Sequence, residues 1–188
     1  MNSSCLRSEY DTTESCEQLL NPFLKIIKQN NDYEILSLPV QNVITIRNDN
    51  FIYKGEVSDG FLEGKGELTY INKDQIYIGQ FKRNKKEGLG RLYKLIKINN
   101  KQNKLLIYNG EWKNNKYHGV GIEEGNTFYY EGFFQNGKRE GLGCYYDYET
   151  QQNFIGNWVN GYKEGKFCVK NLFTGEYSVK IFNEWSNL

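Results

Sequence analysis

The chain is 188 residues long, a length that suits one domain or one repeat array with a small additional segment. Aromatic residues make up 15% of it, glycine occurs 19 times and alanine is absent. Because alanine is the strongest helix former and aromatic residues favour strands, the composition predicts an all-β protein. The formal net charge is +1. Nucleic-acid-binding domains carry a larger excess of positive charge, so we expect no nucleic-acid partner.

Residues 1–32 are predicted to form a polar segment followed by a short amphipathic helix. Asp11 and Glu14 have the spacing of a capping box at the start of that helix. Apolar side chains then follow at helical spacing, at Cys16, Leu19, Leu20, Phe23, Ile26 and Ile27. Pro22 either kinks this helix or begins a second one. The helix either packs on its own domain or docks on a partner, and both interpretations stay open.

Residues 33–50 are richer in β-forming side chains and predict two short strands that lead into, and cap, the sheet that follows. One motif, Y-x-G-x-(aromatic)-x6-G-x-G, then recurs in residues 51–170, in five copies that start near positions 53, 77, 108, 130 and 154. In every copy the second glycine follows the first by nine residues. Such fixed spacing predicts a repeat protein.

A two-residue turn is predicted at the fourth and fifth positions after the first glycine of each copy. These positions hold Asp59-Gly60, Arg83-Asn84, Asn114-Asn115, Asn136-Gly137 and Asn160-Gly161. Glycine and asparagine tolerate the positive φ that tight hairpin turns require. In the first copy this turn predicts that Gly55 lies opposite Gly64. It also places Tyr53 opposite Gly66, where the missing side chain leaves room for the ring.

Alternation along the strands places the opening ring of each copy and a second large side chain on one face of the sheet. The rings of this aromatic face are Tyr53, Tyr77, Phe81, Tyr108, Trp112, Tyr130, Phe134, Phe154 and Trp158. We expect a single sheet to leave part of this ring surface exposed, because it has no second layer to cover it. The aromatic face is therefore the predicted binding site for a helix or an extended segment of a protein partner.

Basic residues collect around the predicted hairpin turns. They are Lys82, Arg83, Lys85, Lys86, Lys116, Lys138, Arg139 and Lys163. One interpretation is a set of contacts to anionic phospholipid head groups, and the other is a solvated edge balanced by the glutamate that precedes the second glycine in four copies. His118 takes the place of that glutamate in the third copy. We interpret it as a surface variant rather than a catalytic base.

The four cysteines, Cys5, Cys16, Cys144 and Cys168, contain no C-x-x-C pair, and with one histidine in the chain no zinc-site spacing exists. They are predicted to be reduced thiols. Cys144 and Cys168 are the pair considered for a disulfide, because they occupy equivalent positions of neighbouring copies. No apolar run has the length of a transmembrane helix or the form of a signal sequence. We expect a soluble or peripheral protein on the cytoplasmic side of membranes, without a cofactor or a metal ion.

Three places depart from the regular pattern. Residues 92–108 predict an extended hairpin with Asn99 and Asn100 near its tip. The fifth copy has Phe167 in place of the third glycine, opposite Phe154 in the predicted register. Residues 171–188 begin as a degenerate sixth half-repeat and are expected to cap the sheet, while incompletely capped edges would allow self-association.

The spacing, the turn residues and the aromatic positions together resemble the MORN repeat, the membrane occupation and recognition nexus motif. The resemblance implies an elongated, twisted single-layer antiparallel sheet of hairpins without enzymatic activity. It also implies a scaffold role, since the repeat occurs in proteins of cilia and other cytoskeletal assemblies and in membrane-junction proteins. The expectation is a structural scaffold that binds a protein partner in a ciliary, axonemal or other cytoskeletal assembly. The alternative is a peripheral tether that binds anionic phospholipids.

Overall fold

The computed structural model describes residue 16 and residues 43–183. Apart from a single 3₁₀ turn at Ile71–Lys73, the regular elements in residues 43–183 are strands. They are β1 (Ile44–Arg47), β2 (Phe51–Ser58), β3 (Phe61–Tyr70), β4 (Gln75–Lys82), β5 (Lys85–Ile98), β6 (Lys101–Lys113), β7 (Lys116–Glu124), β8 (Phe128–Gln135), β9 (Lys138–Asp147), β10 (Gln152–Val159), β11 (Tyr162–Asn171) and β12 (Tyr177–Phe182). The predicted all-β fold class is confirmed.

The chain divides into two compact units. One unit, Glu34–Glu124, holds β1 to β7, and each of these strands pairs antiparallel with the next in sequence. The other unit, Met1–Tyr33 with Gly125–Leu188, holds β8 to β12, which also pair antiparallel in sequence order. The predicted helix within residues 1–32 lies outside the described residues except for Cys16, which is helical. Of the two strands predicted in residues 33–50, the second is β1 and the first lies outside the described residues.

The predicted two-residue turns are confirmed in all five copies. Both central residues of each turn have positive φ, for example 49° at Asp59 and 77° at Gly60. This is the backbone of the tight turns whose twist matches that of the flanking strands. The extended hairpin in residues 92–108 is confirmed too, with β5 and β6 joined at Asn99 and Asn100, whose φ values are 50° and 61°.

The predicted strand register is wrong beyond the turn. Val57 lies opposite Leu62 as the turn requires, but Gly55 then lies opposite Gly66 instead of Gly64. A β-bulge causes this shift, and its residue Gly64 has φ of 58°, in the left-handed region. Because the register moves by two residues, side chains keep the faces that alternation predicts. The other copies shift in the same way, and in the fifth Phe167 lies opposite Gly156 rather than opposite Phe154.

The bulge explains why four copies open with tyrosine. The hydroxyl group of Tyr53 donates a hydrogen bond of 2.7 Å to the backbone carbonyl of Glu56, the residue at the bulge. Tyr77, Tyr108 and Tyr130 donate equivalent bonds. A Cβ atom added to Gly66 would lie 2.6 Å from the Tyr53 ring. The prediction that the third glycine makes room for the opening ring is therefore confirmed, although Leu68 stands directly opposite Tyr53.

Candidate functional site

The rings of the aromatic face bury one another, contrary to the expectation that a single sheet would leave them partly exposed. All nine predicted partner-binding residues are at most 7% exposed. Neighbouring rings meet edge to face: the Phe81 ring lies 5.3 Å from Tyr53 and 5.1 Å from Tyr77, at nearly right angles to both. This geometry is favoured by the ring quadrupoles. Phe81 wedges between Tyr53 and Tyr77 in this way, and Trp112 wedges between Tyr77 and Tyr108.

Trp112 combines ring contacts with a hydrogen bond inside this core of buried rings. Its ring packs edge to face on Tyr77 and Tyr108, and its Nε1 donates a hydrogen bond of 3.0 Å to the carbonyl oxygen of Gly90. Tyr117 stacks on Tyr108 with a centroid distance of 3.8 Å. Tyr117 itself is half-buried. It therefore belongs to an accessible layer that covers the buried rings.

Three of the predicted basic contact residues lie against the rings of the aromatic face and not at the hairpin tips, and of these Lys86 is itself buried. Lys86 Nζ lies 4.6 Å from the Trp112 ring centroid, and Lys163 Nζ lies 4.0 Å from that of Phe154. The Arg139 guanidinium lies 4.8 Å from the Tyr130 ring. All three occupy one position of the repeat, two residues before the second glycine, and they make the cation–π contacts that such distances allow.

Burial among the rings changes the acidity of the two lysines. The pKa of Lys86 falls to about 8, first because burial disfavours its charged form and then because Lys73 is close. The pKa of Lys163 also falls to about 8 through burial, while Asp147 opposes this shift and Arg139 and Lys180 add to it. These cations are held in partly desolvated surroundings where the effects of neighbouring charges are strong.

The remaining five predicted basic contacts are exposed at or beside the hairpin turns. They are Lys82, Arg83, Lys85, Lys116 and Lys138. Three of these cations, Lys82, Arg83 and Lys85, surround the turn between β4 and β5. Sequence spacing could have separated these residues from the three that cover the rings, because the predicted turns already place Lys86, Arg139 and Lys163 opposite large side chains of the aromatic face.

A family model for the MORN repeat matches residues 53–75, 77–94, 108–127, 130–148 and 154–166. The chain belongs to the MORN repeat family. The matched segments begin at the tyrosine or phenylalanine that opens each copy. A comparison with curated proteins gives no match. The family is a non-enzymatic repeat family.

The glutamate before the second glycine links one MORN copy to the next, a role that the sequence analysis missed. Its carboxylate accepts a hydrogen bond from a backbone N–H group of the following hairpin turn. The bonds join Glu63 to Arg83 at 3.0 Å, Glu87 to Asn114 at 2.9 Å and Glu140 to Asn160 at 2.9 Å. These carboxylates therefore hold the turns in line and do not simply balance charge at a solvated edge. The regular recurrence of the glutamate at this position was the signal that could have revealed the role.

The prediction of four reduced thiols is wrong, because Cys16 and Cys168 form a disulfide with a Cα–Cα distance of 5.1 Å. Cys144 and Cys168 cannot pair, since both lie opposite Ile155 on the two sides of β10. The two cysteines are therefore two strand spacings apart, about 9.6 Å. This distance is too long for a disulfide. Cys168 points away from the aromatic face, so Cys16 lies on the reverse face. Cys144 is a free cysteine, and burial together with Glu131 raises its pKa to about 12.

His118 is not the surface variant that its position suggested. Its ring is half-buried, and its Nδ1 atom is enclosed without a hydrogen-bond partner among the described residues. No group of three or more potential metal ligands occurs in residue 16 and residues 43–183. A groove near the first turns is lined by Ser58, Asp59, Phe61, Glu63 and Arg83, and Glu63 is already committed to the Arg83 backbone. Nothing in this set supplies a nucleophile paired with a base.

No helix in the part of the chain that the structure describes is long and apolar enough to cross a membrane.

Proposed function

We propose that this MORN repeat protein is a non-catalytic scaffold that binds a segment of a partner protein across the aromatic face. The observation that carries the proposal is the accessible layer over the rings, where the half-buried side chains of Tyr145 and Lys163 combine ring surface with positive charge, the Lys163 Nζ atom lying 4.7 Å from the Tyr145 ring centroid. Protein interfaces are enriched in tyrosine and arginine, and this layer also places the Arg139 guanidinium 5.3 Å from the Tyr145 ring. The buried rings beneath then act as a rigid support, and the partner meets the covering layer first.

A photo-crosslinking experiment tests where the partner docks. The photoreactive amino acid p-benzoylphenylalanine replaces Tyr145, which lies on the aromatic face, or Tyr162, which is exposed and adjoins Lys163 in β11 on the opposite face. Irradiation in the cell of origin is expected to give a discrete adduct from position 145 and none from position 162. Adducts from position 162 alone would refute docking on the aromatic face.

The proposed setting is a cytoskeletal assembly on the cytoplasmic side of membranes, such as a ciliary axoneme. It rests on the family resemblance, and the Cys16–Cys168 disulfide is the observation that opposes a reducing compartment. Fluorescent tagging in the cell of origin locates the protein. Alkylation of free thiols before lysis, followed by mass spectrometry, measures whether Cys168 is oxidised there. A protein that is found outside cytoskeletal structures would overturn the proposed setting.

The alternative function is a peripheral tether to anionic phospholipids. The observation that favours it is the exposure of Lys82, Arg83 and Lys85 around one turn, since each cation near an anionic membrane adds about 1 kcal/mol of attraction. Co-sedimentation with phosphatidylcholine vesicles that contain a phosphoinositide tests it. If binding persists after Lys82, Arg83 and Lys85 are changed to glutamate, these residues do not form the contact with the membrane.

A further inference from the structure

A cluster of cations covers the aromatic face at the MORN hairpin β10–β11 and the neighbouring strand β12. Lys163 Nζ lies 4.0 Å from the Phe154 ring centroid and 5.2 Å from that of Phe182. Lys180 Nζ, from β12, lies 5.3 Å from the same Phe154 ring. Two ammonium groups from different strands therefore share one buried aromatic ring.

Among the described residues, the two ammonium groups over this ring carry more charge than the one carboxylate that acts on Lys163. That carboxylate belongs to Asp147, and it opposes the field of Lys180. Lys180 Nζ donates a long hydrogen bond, 3.4 Å, to the neutral amide oxygen of Gln152. Like charges held close together over an apolar surface repel each other. An added carboxylate would relieve that repulsion and form charge-assisted hydrogen bonds.

The cluster is also reachable, which distinguishes it from the equivalent lysine of the second copy. Lys86 is 9% exposed and lies within about 5 Å of the rings of Tyr70, Tyr77 and Trp112. A ligand could not reach its ammonium group without moving those rings. Lys163 is half-buried and Lys180 is exposed, so both ammonium groups are accessible from the aromatic side.

We propose that this cluster docks an acidic protein segment, in which an aspartate or glutamate carboxylate lies beside Lys163 and Lys180 and a neighbouring apolar side chain lies on Tyr145 and Phe182. The inference rests on the proposed function and names the chemistry of the partner. Tyr145 and Phe182 are half-buried and flank the two lysines, so they offer the apolar part of the contact. A protein segment supplies both features side by side, whereas a lipid head group supplies only the anion.

Selection from a phage-displayed library of random dodecapeptides tests the inference on the oxidised full-length protein. Three proteins are compared: the wild type, the double variant Lys163→Gln/Lys180→Gln and the matched control Lys138→Gln/Lys166→Gln. The control removes two exposed lysines from the same unit and hence the same charge. Peptides selected by the wild type and by the control are expected to share an aspartate or glutamate beside an apolar residue, and that preference is expected to vanish with Lys163→Gln/Lys180→Gln.

Fluorescence anisotropy with one selected peptide then gives the size of the effect. The Lys163→Gln/Lys180→Gln variant, or amidation of the peptide carboxylates to Asn and Gln, is expected to weaken binding about tenfold or more, which corresponds to about 1.4 kcal/mol. Added salt is expected to weaken the wild-type complex, because screening reduces the attraction between partly exposed charges.

The outcomes separate this inference from the proposed function. Selected peptides without acidic residues, together with an adduct at position 145, would overturn the acidic partner and leave the scaffold function standing. Failure of the wild type to select any peptide would likewise overturn the inference, and the crosslinking result would decide the scaffold function separately. Binding to phosphatidylcholine–phosphatidylserine vesicles that is lost in Lys163→Gln/Lys180→Gln, without an acidic preference among peptides, would assign the cluster to a lipid surface instead.

Discussion

The third and fifth MORN copies fill the same aromatic pocket in opposite ways. In the third copy, Tyr108 from the first strand lies over Gly121, and its hydroxyl group donates a hydrogen bond of 2.9 Å to the backbone carbonyl of Glu111. In the fifth copy Phe167 from the second strand lies over Gly156, so close that a Cβ atom on this glycine would be 2.6 Å from the ring. The comparison teaches that each hairpin needs one ring over a facing glycine. Either strand can supply it.

The two copies differ in how they satisfy their buried polar groups. Trp112 donates its N–H to Gly90, whereas Nε1 of Trp158 is buried without a partner in the described residues. Phe167 has no hydroxyl group to donate to a bulge carbonyl. An unpaired buried donor costs free energy that a paired one does not. The fifth copy therefore lacks both hydrogen bonds that Tyr108 and Trp112 donate in the third, although the third copy also buries Nδ1 of His118 without a partner among the described residues. The fifth is also the copy that carries the accessible Lys163.

The largest expected effect comes from moving the ring of the fifth copy to the other strand. Phe167→Gly removes a fully buried ring and should lower the free energy of unfolding by about 4 kcal/mol. Adding Phe154→Tyr restores the arrangement of the other four copies, with a ring on the first strand and a glycine on the second. We expect the double variant to recover at least half of the loss in urea unfolding followed by circular dichroism.

A double variant that is as unstable as Phe167→Gly would contradict the equivalence of the two strands. Phe154→Tyr alone serves as the control. It adds a hydroxyl group while Phe167 still occupies the pocket, so it should not increase stability.

The sequence predicted the parts of the fold that depend on local chemistry. The hairpin turns followed from Asn and Gly at positions that need positive φ, and the aromatic face followed from alternation. The register did not follow, because the left-handed backbone of the second glycine, such as Gly64, is not visible in the motif. The same bulge forms in the fifth copy, which has no tyrosine hydroxyl group to bond the bulge carbonyl. A glycine at a fixed position can signal either a close neighbour or a left-handed backbone. The first and third glycines are of the former kind and the second is of the latter.

The candidate site was predictable in its residues but not in their exposure. Trp112 and Phe81 were placed on the correct face, yet the edge-to-face wedges that bury them join copies 24 and 31 residues apart in sequence. The disulfide from Cys16 to Cys168 spans 152 residues and has no local signature. Contacts of this range depend on how successive hairpins stack. A motif that describes one hairpin does not contain that information.

Adding a methyl group to Gly121 in the third copy should give the next largest decrease in the free energy of unfolding. Gly121→Ala would place a Cβ atom 2.6 Å from Cζ of Tyr108, and the ring is fully buried and cannot move aside. Overpacking of this kind costs about 2 to 3 kcal/mol. Asn100→Gly, at the exposed tip of the β5–β6 hairpin, is the control, because glycine readily adopts its φ of 61°. Equal urea midpoints for Gly121→Ala and the wild type would show that the ring is not packed against this glycine.

The buried lysine of the second copy should make stability depend on pH. The pKa of Lys86 is about 8 in the folded protein and 10.5 without burial. Between these values the unfolded chain binds a proton that the folded chain does not, so the free energy of unfolding rises with pH. Lys86 should contribute about 1 to 2 kcal/mol between pH 8 and pH 10, within the limit of 1.36 kcal/mol per pH unit.

The measurement for Lys86 is urea unfolding at several pH values, kept below the range where unfolded tyrosines ionise. That limit matters because burial raises the pKa of folded tyrosines such as Tyr53, to about 12, which lowers stability above pH 10. Lys86→Met is expected to remove part of the slope. The part due to Lys163 remains, and so does a slope of opposite sign from Cys144, whose pKa is raised to about 12 by burial. Lys85→Met, at the exposed neighbouring position, should leave the slope unchanged. A slope that survives Lys86→Met in full would contradict burial of this ammonium group.

The smallest expected effect is a difference in stability between substitutions of the two tryptophans. Trp112→Phe loses ring volume and also the hydrogen bond to the carbonyl of Gly90, whereas Trp158→Phe loses similar volume but removes a buried N–H that has no acceptor. A typical hydrogen bond contributes about 1 kcal/mol and an orphaned donor costs at least as much. Trp112→Phe should therefore be more destabilising than Trp158→Phe by about 1 kcal/mol or more in matched urea titrations. Equal losses would mean that Trp158 finds an acceptor in solution, and the polar difference between the third and fifth copies would disappear.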